Sequence, residues 1–188
     1  MAIAGRGNFR SWLLSGLTLA LGVALAHAAS QPVQPLKSVE VLPESDGLRP
    51  GEALRIGVKV TLSEGFHVNS HTPSEEYLIA TTLEFLSLDG LDSGGFDFPE
   101  GAKRKFAFSD TPLSVYEGSF LVRGALKAPV DASPSERRIR AALRYQACTA
   151  ERCYPPKKEE ISFPVRIAPK GSPVRPLHPE LFAETSRP

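Results

Sequence analysis

Alternation of apolar and other side chains is clearest between residues 54 and 62. Every second residue there is apolar, whereas the positions between them are polar or small. The apolar set consists of Leu54, Ile56, Val58, Val60 and Leu62. A period of two is typical of a β-strand that has one buried face. This segment is therefore predicted to be a half-buried strand.

Shorter segments of the same kind recur along the chain, and clusters of Gly, Pro, Asp and Ser separate most of them. They cover residues 38–42, 66–69, 82–88, 105–108, 114–116, 119–125, 138–148 and 160–167. No window of a dozen residues has the apolar spacing of a helix. About nine short strands with turns between them predict an all-β fold, an immunoglobulin-like antiparallel β-sandwich.

The beginning of the chain follows a different pattern. Arg6 and Arg10 precede an apolar run at 12–25, and the small residues Ala26 and Ala28 follow it. This order is typical of a secretory signal peptide, and the run is shorter than the roughly 20 residues that cross a bilayer. We therefore expect an exported, single-domain protein without direct membrane insertion. The predicted parts are a signal peptide at 1–28, a flexible lead-in at 29–37, the sandwich at 38–168 and a loose, Pro-rich tail at 169–188.

The charge balance excludes two classes of partner. The chain has 22 basic and 21 acidic side chains, and two of the basic ones lie in the predicted signal peptide. A nearly neutral mature protein offers no basic footprint for nucleic acid or for anionic lipid. We therefore predict that it binds neither of them.

The two cysteines, Cys148 and Cys153, are separated by only four residues. Such a segment is long enough to turn the chain and bring both sulfurs together. The alternation at 138–148 places Tyr145 among the core-facing residues and Cys148 on the polar face. The pair is therefore expected at the exposed rim of a hairpin.

Chemical considerations favour exchange at this pair but leave alternatives. The closed loop is so short that a disulfide would stabilise the fold by only roughly 2 kcal/mol. Arg152, Lys157 and Lys158 supply positive charge that favours a thiolate, and an exposed pair in such surroundings is typical of an exchangeable disulfide. An inert structural bond in a secreted binding module remains an alternative. A zinc or copper site that adds His67 and His71 to the cysteines is a weaker one.

Several segments carry a resemblance to a known family. The segments 145–148 (YQAC) and 153–156 (CYPP) resemble the N-terminal periplasmic domain of the thiol:disulfide interchange protein DsbD. The segments 65–73 (GFHVNSHTP) and 115–118 (VYEG) resemble further stretches of that domain group. The match runs in order from about residue 39 to residue 167. The turn between the cysteines looks slightly shorter than is usual in the family.

The resemblance implies an immunoglobulin-like domain in the periplasm, with Cys148 and Cys153 as a redox pair that needs no cofactor. In the family, this pair receives electrons from a membrane domain through a thioredoxin-like domain, and it reduces periplasmic thiol proteins through mixed disulfides. The sequence contains neither of those two domains. We therefore expect another chain to supply the membrane-embedded donor, and thioredoxin-like proteins to be the partners. Cys153 is favoured as the sulfur that links to the partner.

The family also has a loop whose aromatic residue shields the redox pair. By the same likeness this loop lies near residues 106–112, with Phe108 as the expected shield. His67 and Asn69, together with Tyr145, are expected to line the pocket around the cysteines. Core phenylalanines and surface polar residues are the simpler interpretations of the same positions.

Overall fold

The computed structural model describes residues 33–183. The predicted signal peptide, the start of the predicted lead-in and residues 184–188 of the predicted tail lie outside this range. Within it, eleven strands and one short helix are found. None of the helical structure in this range is long or apolar enough to cross a bilayer.

All strand pairs are antiparallel. The elements are β1 Leu36–Pro43, β2 Ala53–Leu62, β3 His67–Asn69, β4 Thr82–Ser87, β5 Asp92–Asp97, β6 Ala102–Arg104, β7 Leu113–Glu117, β8 Ser119–Lys127, β9 Ser135–Tyr145, β10 Ala147–Cys148, β11 Lys157–Ile167 and α1 Pro179–Phe182. They form three sheets, with the strand orders β1-β2-β8-β5, β11-β9-β4 and β10-β3-β7-β6.

The core lies between the first two sheets. All five apolar residues of the alternating segment 54–62 are buried. Val58 on β2 and Val122 on β8 belong to one apolar cluster with Leu143 on β9, so side chains from both sheets share a single interior. The predicted antiparallel β-sandwich is therefore confirmed.

The third sheet closes one end of this sandwich. One of its faces belongs to the core, because Val68, Tyr116 and Ala147 are part of the same apolar cluster as Val58. Successive residues of a strand point to opposite faces. The residues next to these three, which include Cys148, therefore point to the outer face of the third sheet.

Several stretches depart from the predicted strands, among them β6 at Ala102–Arg104, which was not predicted. Residues 105–108, predicted as a strand, belong to a loop between β6 and β7. Conversely, β5 was not predicted, because its sequence, DSGGFD, lacks apolar alternation. It pairs with β8 through an irregular register between Ser93 and Phe96, which removes the period of two that marks a regular strand.

The tail, expected to be loose, is held to the sandwich as far as residue 183. The backbone N–H of Leu177 donates to the carbonyl of Glu44 at 2.9 Å, and that of Asp46 donates to the carbonyl of Arg175 at 3.0 Å. The ring of Phe182 is only 6% exposed. Proline removes its own N–H donor, but the residues between the prolines keep theirs. A Pro-rich composition was therefore insufficient to predict a loose segment.

Candidate functional site

Cys148 and Cys153 form a disulfide across a two-stranded turn, with their Cα atoms 3.9 Å apart. Backbone hydrogen bonds flank the pair on both sides: Thr149 donates to Arg152 at 2.8 Å and Tyr154 donates to Ala147 at 2.9 Å. The two cysteines thus occupy a non-hydrogen-bonded position of an antiparallel ladder. Opposite side chains lie closest at such a position, so the backbone itself brings the sulfurs together.

The turn between the cysteines is organised by Thr149. Its hydroxyl donates to the Glu151 carboxylate at 2.8 Å and accepts from the backbone N–H of Glu151 at 3.3 Å. Arg152 folds back over Tyr154, with its guanidinium carbon 5.0 Å from the ring centroid. Its Nε also donates to the Tyr154 hydroxyl at 3.2 Å. The charges of the turn are therefore held close to the disulfide.

The two cysteines differ sharply in their accessibility. Cys153 is exposed, whereas Cys148 is only 1% exposed. The predicted facing of Cys148 is consistent with the structure, because Ala147 beside it faces the core. The expectation that this outward-facing sulfur is also exposed is wrong, because Cys148 lies between Cys153 and the buried side chain of His67 on that face.

A row of side chains crosses this outer face. Cys148 on β10 is paired with His67 on β3, and His67 is paired with Glu117 on β7. Directly opposite residues in antiparallel strands point to the same face. Cys153, Cys148, His67 and Glu117 therefore lie side by side, and we call them the cysteine row. At its end, Arg104 Nε donates to the Glu117 carboxylate at 2.7 Å.

The loop at residues 105–112, which we call the cap loop, packs on the cysteine row at His67. The ring of Phe106 stacks on His67 with centroids 4.2 Å apart, and Phe108 stacks on Phe106 at 5.2 Å. Phe108, the expected shield, thus forms the outermost layer and is 46% exposed. The structure places Phe106 directly over His67, a position that sequence reasoning did not assign to it.

Most bonds of the cap loop are internal. Lys105 Nζ donates to the carbonyls of Ser109 and Asp110, and the backbone N–H of Ser109 donates to the carbonyl of Phe106 at 3.2 Å. Towards its end the loop is tied to its neighbour, because the Thr111 hydroxyl donates to the Glu75 carboxylate at 2.9 Å. Most hydrogen bonds of the loop therefore stabilise its own conformation, and few connect it to the rest of the domain.

Asn69 and Tyr145 do not belong to the cysteine row. The Asn69 side-chain amide donates to the carbonyl of Ile79 at 3.0 Å, which fixes the segment that follows β3. Tyr145 belongs to the core cluster, and it lines a mostly apolar cleft of about 300 Å³ together with Tyr154 and Pro155. Burial raises the pKa of Tyr145, with a smaller contribution in the same direction from the negative charge of Glu159.

The two histidines of the proposed metal set have separate environments. His71 Nδ1 lies 3.0 Å from the carbonyl oxygen of Thr81, and its ring stacks on Phe98 with centroids 4.1 Å apart. His67 lies instead under Phe106. Among residues 33–183, no group of three or more His, Cys, Asp or Glu side chains is arranged to hold a metal ion.

The electrostatics of His67 follow from its position in the row. The side chain is only 4% exposed, and this burial lowers the pKa of the imidazole below its ordinary value of 6.5. The negative charge of Glu117 acts in the opposite direction with a smaller effect. At neutral pH the imidazole beside Cys148 is therefore uncharged and free to accept a proton.

Sequence reasoning missed Glu117 and Arg104 as parts of this region, and it favoured Phe108 over Phe106 as the shielding ring. Glu117 lies within the VYEG segment, but nothing local to that segment shows which strand it faces. The row depends on the register of strands far apart in the sequence. Only the fold establishes that register.

Comparison with known proteins identifies one family. The family model described as "Thiol:disulfide interchange protein DsbD, N-terminal" matches residues 36–164, from the start of β1 into β11. The predicted immunoglobulin-like sandwich agrees with the fold of that domain. No curated protein matches the chain.

Two similar solved structures are bacterial domains. The N-terminal periplasmic domain of ScsB from Proteus mirabilis has 16% identity and a TM-score of 0.44, and the match covers 69% of this chain and 46% of that one. The DsbD N-terminal domain of Neisseria meningitidis, solved in complex with the PilB N-terminal domain, has 18% identity and a TM-score of 0.38. That match covers 76% of this chain and 96% of the other. The chain thus spans less than half the length of the ScsB structure.

Proposed function

Since this chain belongs to the family of DsbD N-terminal domains, we propose that it is a periplasmic thiol–disulfide exchange domain that works through Cys148 and Cys153. It takes electrons from a membrane-embedded donor and delivers them to thiol proteins with a thioredoxin-like fold. The predicted signal peptide supports the periplasmic location. The family supports the reaction class, and the geometry of the disulfide supports the division of labour between the two sulfurs.

The unequal accessibility of the two cysteines carries this proposal. A mixed disulfide forms only where an incoming sulfur reaches the protein sulfur. Cys153 is exposed at the end of the turn, whereas Cys148 is buried in the row. Cys153 is therefore the sulfur that links to the partner, and Cys148 is the resolving sulfur.

The exchange takes place in two displacements at sulfur. In the reduced domain, the Cys153 thiolate attacks the partner's disulfide, and one partner sulfur leaves as a thiolate. The Cys148 thiolate then attacks Sγ of Cys153 and releases the second partner sulfur, which leaves with its electron pair and takes up a proton. The partner gains two electrons, and the domain disulfide is restored. A dithiol donor then reduces the domain disulfide again by the same two displacements in reverse order.

Single cysteine variants test this assignment. We expect reduced Cys148→Ser to form a stable mixed disulfide through Cys153 with an oxidised thioredoxin-like protein, because no resolving thiol remains. Reduced Cys153→Ser should react about 100-fold more slowly, because its only thiol is buried. Non-reducing gel electrophoresis at timed intervals measures both rates. The double variant is the control, and equal rates for the two single variants would contradict the assignment.

Burial of Cys148 also supports a second candidate function, in which the disulfide is an inert structural bond of a binding module. The two candidates differ in the reduction potential of the disulfide. A structural bond has a potential below about −300 mV and resists ordinary thiol donors, whereas an exchange domain has a higher one. Equilibration of the chain with a series of dithiothreitol buffers measures the potential. A value below that limit would favour the inert bond.

A further inference from the structure

The cysteine row raises a chemical problem at the resolving sulfur. The second displacement requires Cys148 as a thiolate, and a thiol in buried surroundings ionises less readily than a free one. Cys148 is almost fully buried. A base close to its sulfur would remove this obstacle.

The fold places such a base in the adjacent position. His67 is the direct cross-strand neighbour of Cys148. Opposite side chains of an antiparallel pair have their Cβ atoms about 4.5–5.5 Å apart and share one face. The stacked ring of Phe106 fixes the imidazole from above. An imidazole in this position is within reach of the sulfur of its neighbour.

The charged groups near His67 lie on strands β6 and β7 and on the cap loop. Glu117 on β7 lies on its other side and is itself paired with Arg104 on β6. On the cap loop, the ammonium of Lys105 is bonded to carbonyl oxygens of its own loop. Glu117 is thus the charge that acts most directly on the imidazole, and it favours the protonated form.

We propose that His67 accepts the proton of the Cys148 thiol during the resolving step, and that Glu117 stabilises the imidazolium that forms. This role rests on the proposed exchange function and assigns its proton transfer to a specific residue. In the step, the S–H bond of Cys148 breaks and His67 gains the proton. The new thiolate attacks Sγ of Cys153, the bond to the partner sulfur breaks, and that sulfur leaves with the electron pair. The imidazolium then returns its proton to the departing thiolate or to water.

His71 provides a matched control in the same chain. It also stacks on a phenylalanine, Phe98, but one of its ring nitrogens is engaged with the carbonyl of Thr81. It lies outside the cysteine row. Replacement of His71 by Phe should therefore change local packing without changing the proton transfer.

The test uses the full, reduced chain and Ellman's reagent, 5,5′-dithiobis(2-nitrobenzoate). The first coloured thiolate is released when the reagent links to Cys153, and the second when Cys148 resolves the mixed disulfide. Rapid-mixing absorbance resolves the two phases at pH values from about 5.5 to about 9.5. The second phase reports the ionisation of Cys148 directly.

We expect His67→Phe, which keeps an aromatic ring against Phe106, to slow the second phase about tenfold at pH 7. The difference from the unchanged chain should shrink as the pH rises towards about 9.5, because a growing share of the thiol then ionises without help. Glu117→Gln should slow the second phase by a smaller factor at pH 7. His71→Phe should leave its pH profile unchanged.

Each outcome separates this role from the proposed function. A slowing of equal size at every pH would show that His67 acts only through packing, and an unchanged profile would show that it takes no part. Either result overturns the inference and leaves the exchange function intact. If the unchanged chain releases no second thiolate, the exchange function itself fails. His67→Gln repeats the test without an aromatic ring, should His67→Phe fail to fold.

Discussion

Both ends of the sandwich are covered by irregular segments, but the covers are attached in different ways. Strand β9 begins at Ser135, opposite Ile167, and ends at Tyr145, opposite Lys157. The ten steps between its ends correspond to about 34 Å of extended chain. The tail, residues 169–183, lies at the first end, and the cap loop lies at the second.

The tail is bonded into the structure of the sandwich. Asp46 accepts from Arg166 at 3.1 Å and from Arg175 at 3.0 Å, and a backbone bond links Leu177 to Glu44. The cap loop instead makes most of its hydrogen bonds to itself and rests on His67 through Phe106. We infer that the tail is part of the stability of the fold. The cap loop, by contrast, pairs with no strand, so its displacement would break no sheet.

The largest expected effect is on the rate of disulfide reduction, when the ring of Phe106 is removed. We expect Phe106→Ala to speed reduction of the disulfide by dithiothreitol about tenfold, because loss of the ring over His67 opens the buried side of the disulfide at Cys148 to an incoming thiol. Phe108→Ala should have a smaller effect, since that ring forms the outer layer. Timed alkylation of the released thiols, followed by mass spectrometry, measures the rates.

Phe98→Ala is the control for this prediction. It truncates the other stacked ring of the same type, which lies against His71 and outside the row. It is expected to reduce stability without speeding reduction. Equal acceleration by Phe98→Ala and Phe106→Ala would mean that reduction follows general loosening of the fold.

Truncation of a ring in the tail should lower the stability of the fold without changing the rate of disulfide reduction. Phe182 is buried against the sandwich, with the Arg55 guanidinium 5.4 Å from its ring centroid. We expect Phe182→Ala to cost about 2 kcal/mol, which lowers the melting temperature by roughly 4–8 °C for a domain of this size. Calorimetry measures this change. The rate of disulfide reduction under native conditions should stay the same, and a faster rate would show that the two ends are coupled.

The strands that local pattern predicted best are those with one regular buried face. In β2, strict alternation was enough to identify every core residue from Leu54 to Leu62. The proximity of Cys148 and Cys153 was equally accessible, because four intervening residues suffice for a turn. These features depend on neighbours in sequence, and such neighbours determine local geometry.

Features that depend on distant segments could not be predicted in this way. Cys148 has the facing that its strand pattern indicates, but it is buried beside His67, on which a loop some forty residues earlier in the chain packs. Its position beside His67 depends on the pairing of β10 with β3, which no local pattern specifies. Likewise, the tail is held by Asp46, whose pairing with Arg175 crosses 129 positions of the sequence.

Lowering the pH should weaken the two ends of the sandwich in different pH ranges, with smaller effects on stability. Burial lowers the pKa of His67 in the folded chain below 6.5, so the unfolded chain binds this proton more readily. Stability is therefore complete above pH 6.5 and declines as the pH falls from there through the folded pKa. Hydrogen bonds from Arg175, with further help from the charge of Arg166, lower the pKa of Asp46 below 3.8. The contribution of Asp46 is accordingly kept above that pH and lost below it.

Urea unfolding midpoints measured from pH 7.5 down to about pH 3 should thus show two successive declines. His67→Phe should remove the first decline, at the cysteine end, because its side chain binds no proton. Asp46→Asn should reduce the second, at the tail end, and leave the first in place; a remainder is expected from Glu44, because its hydrogen bond with Arg55 lowers the pKa of that carboxyl as well. If either variant removed both declines, the two covers would respond to acid as one unit. Our distinction between a displaceable cap loop and a tail built into the fold would then be wrong.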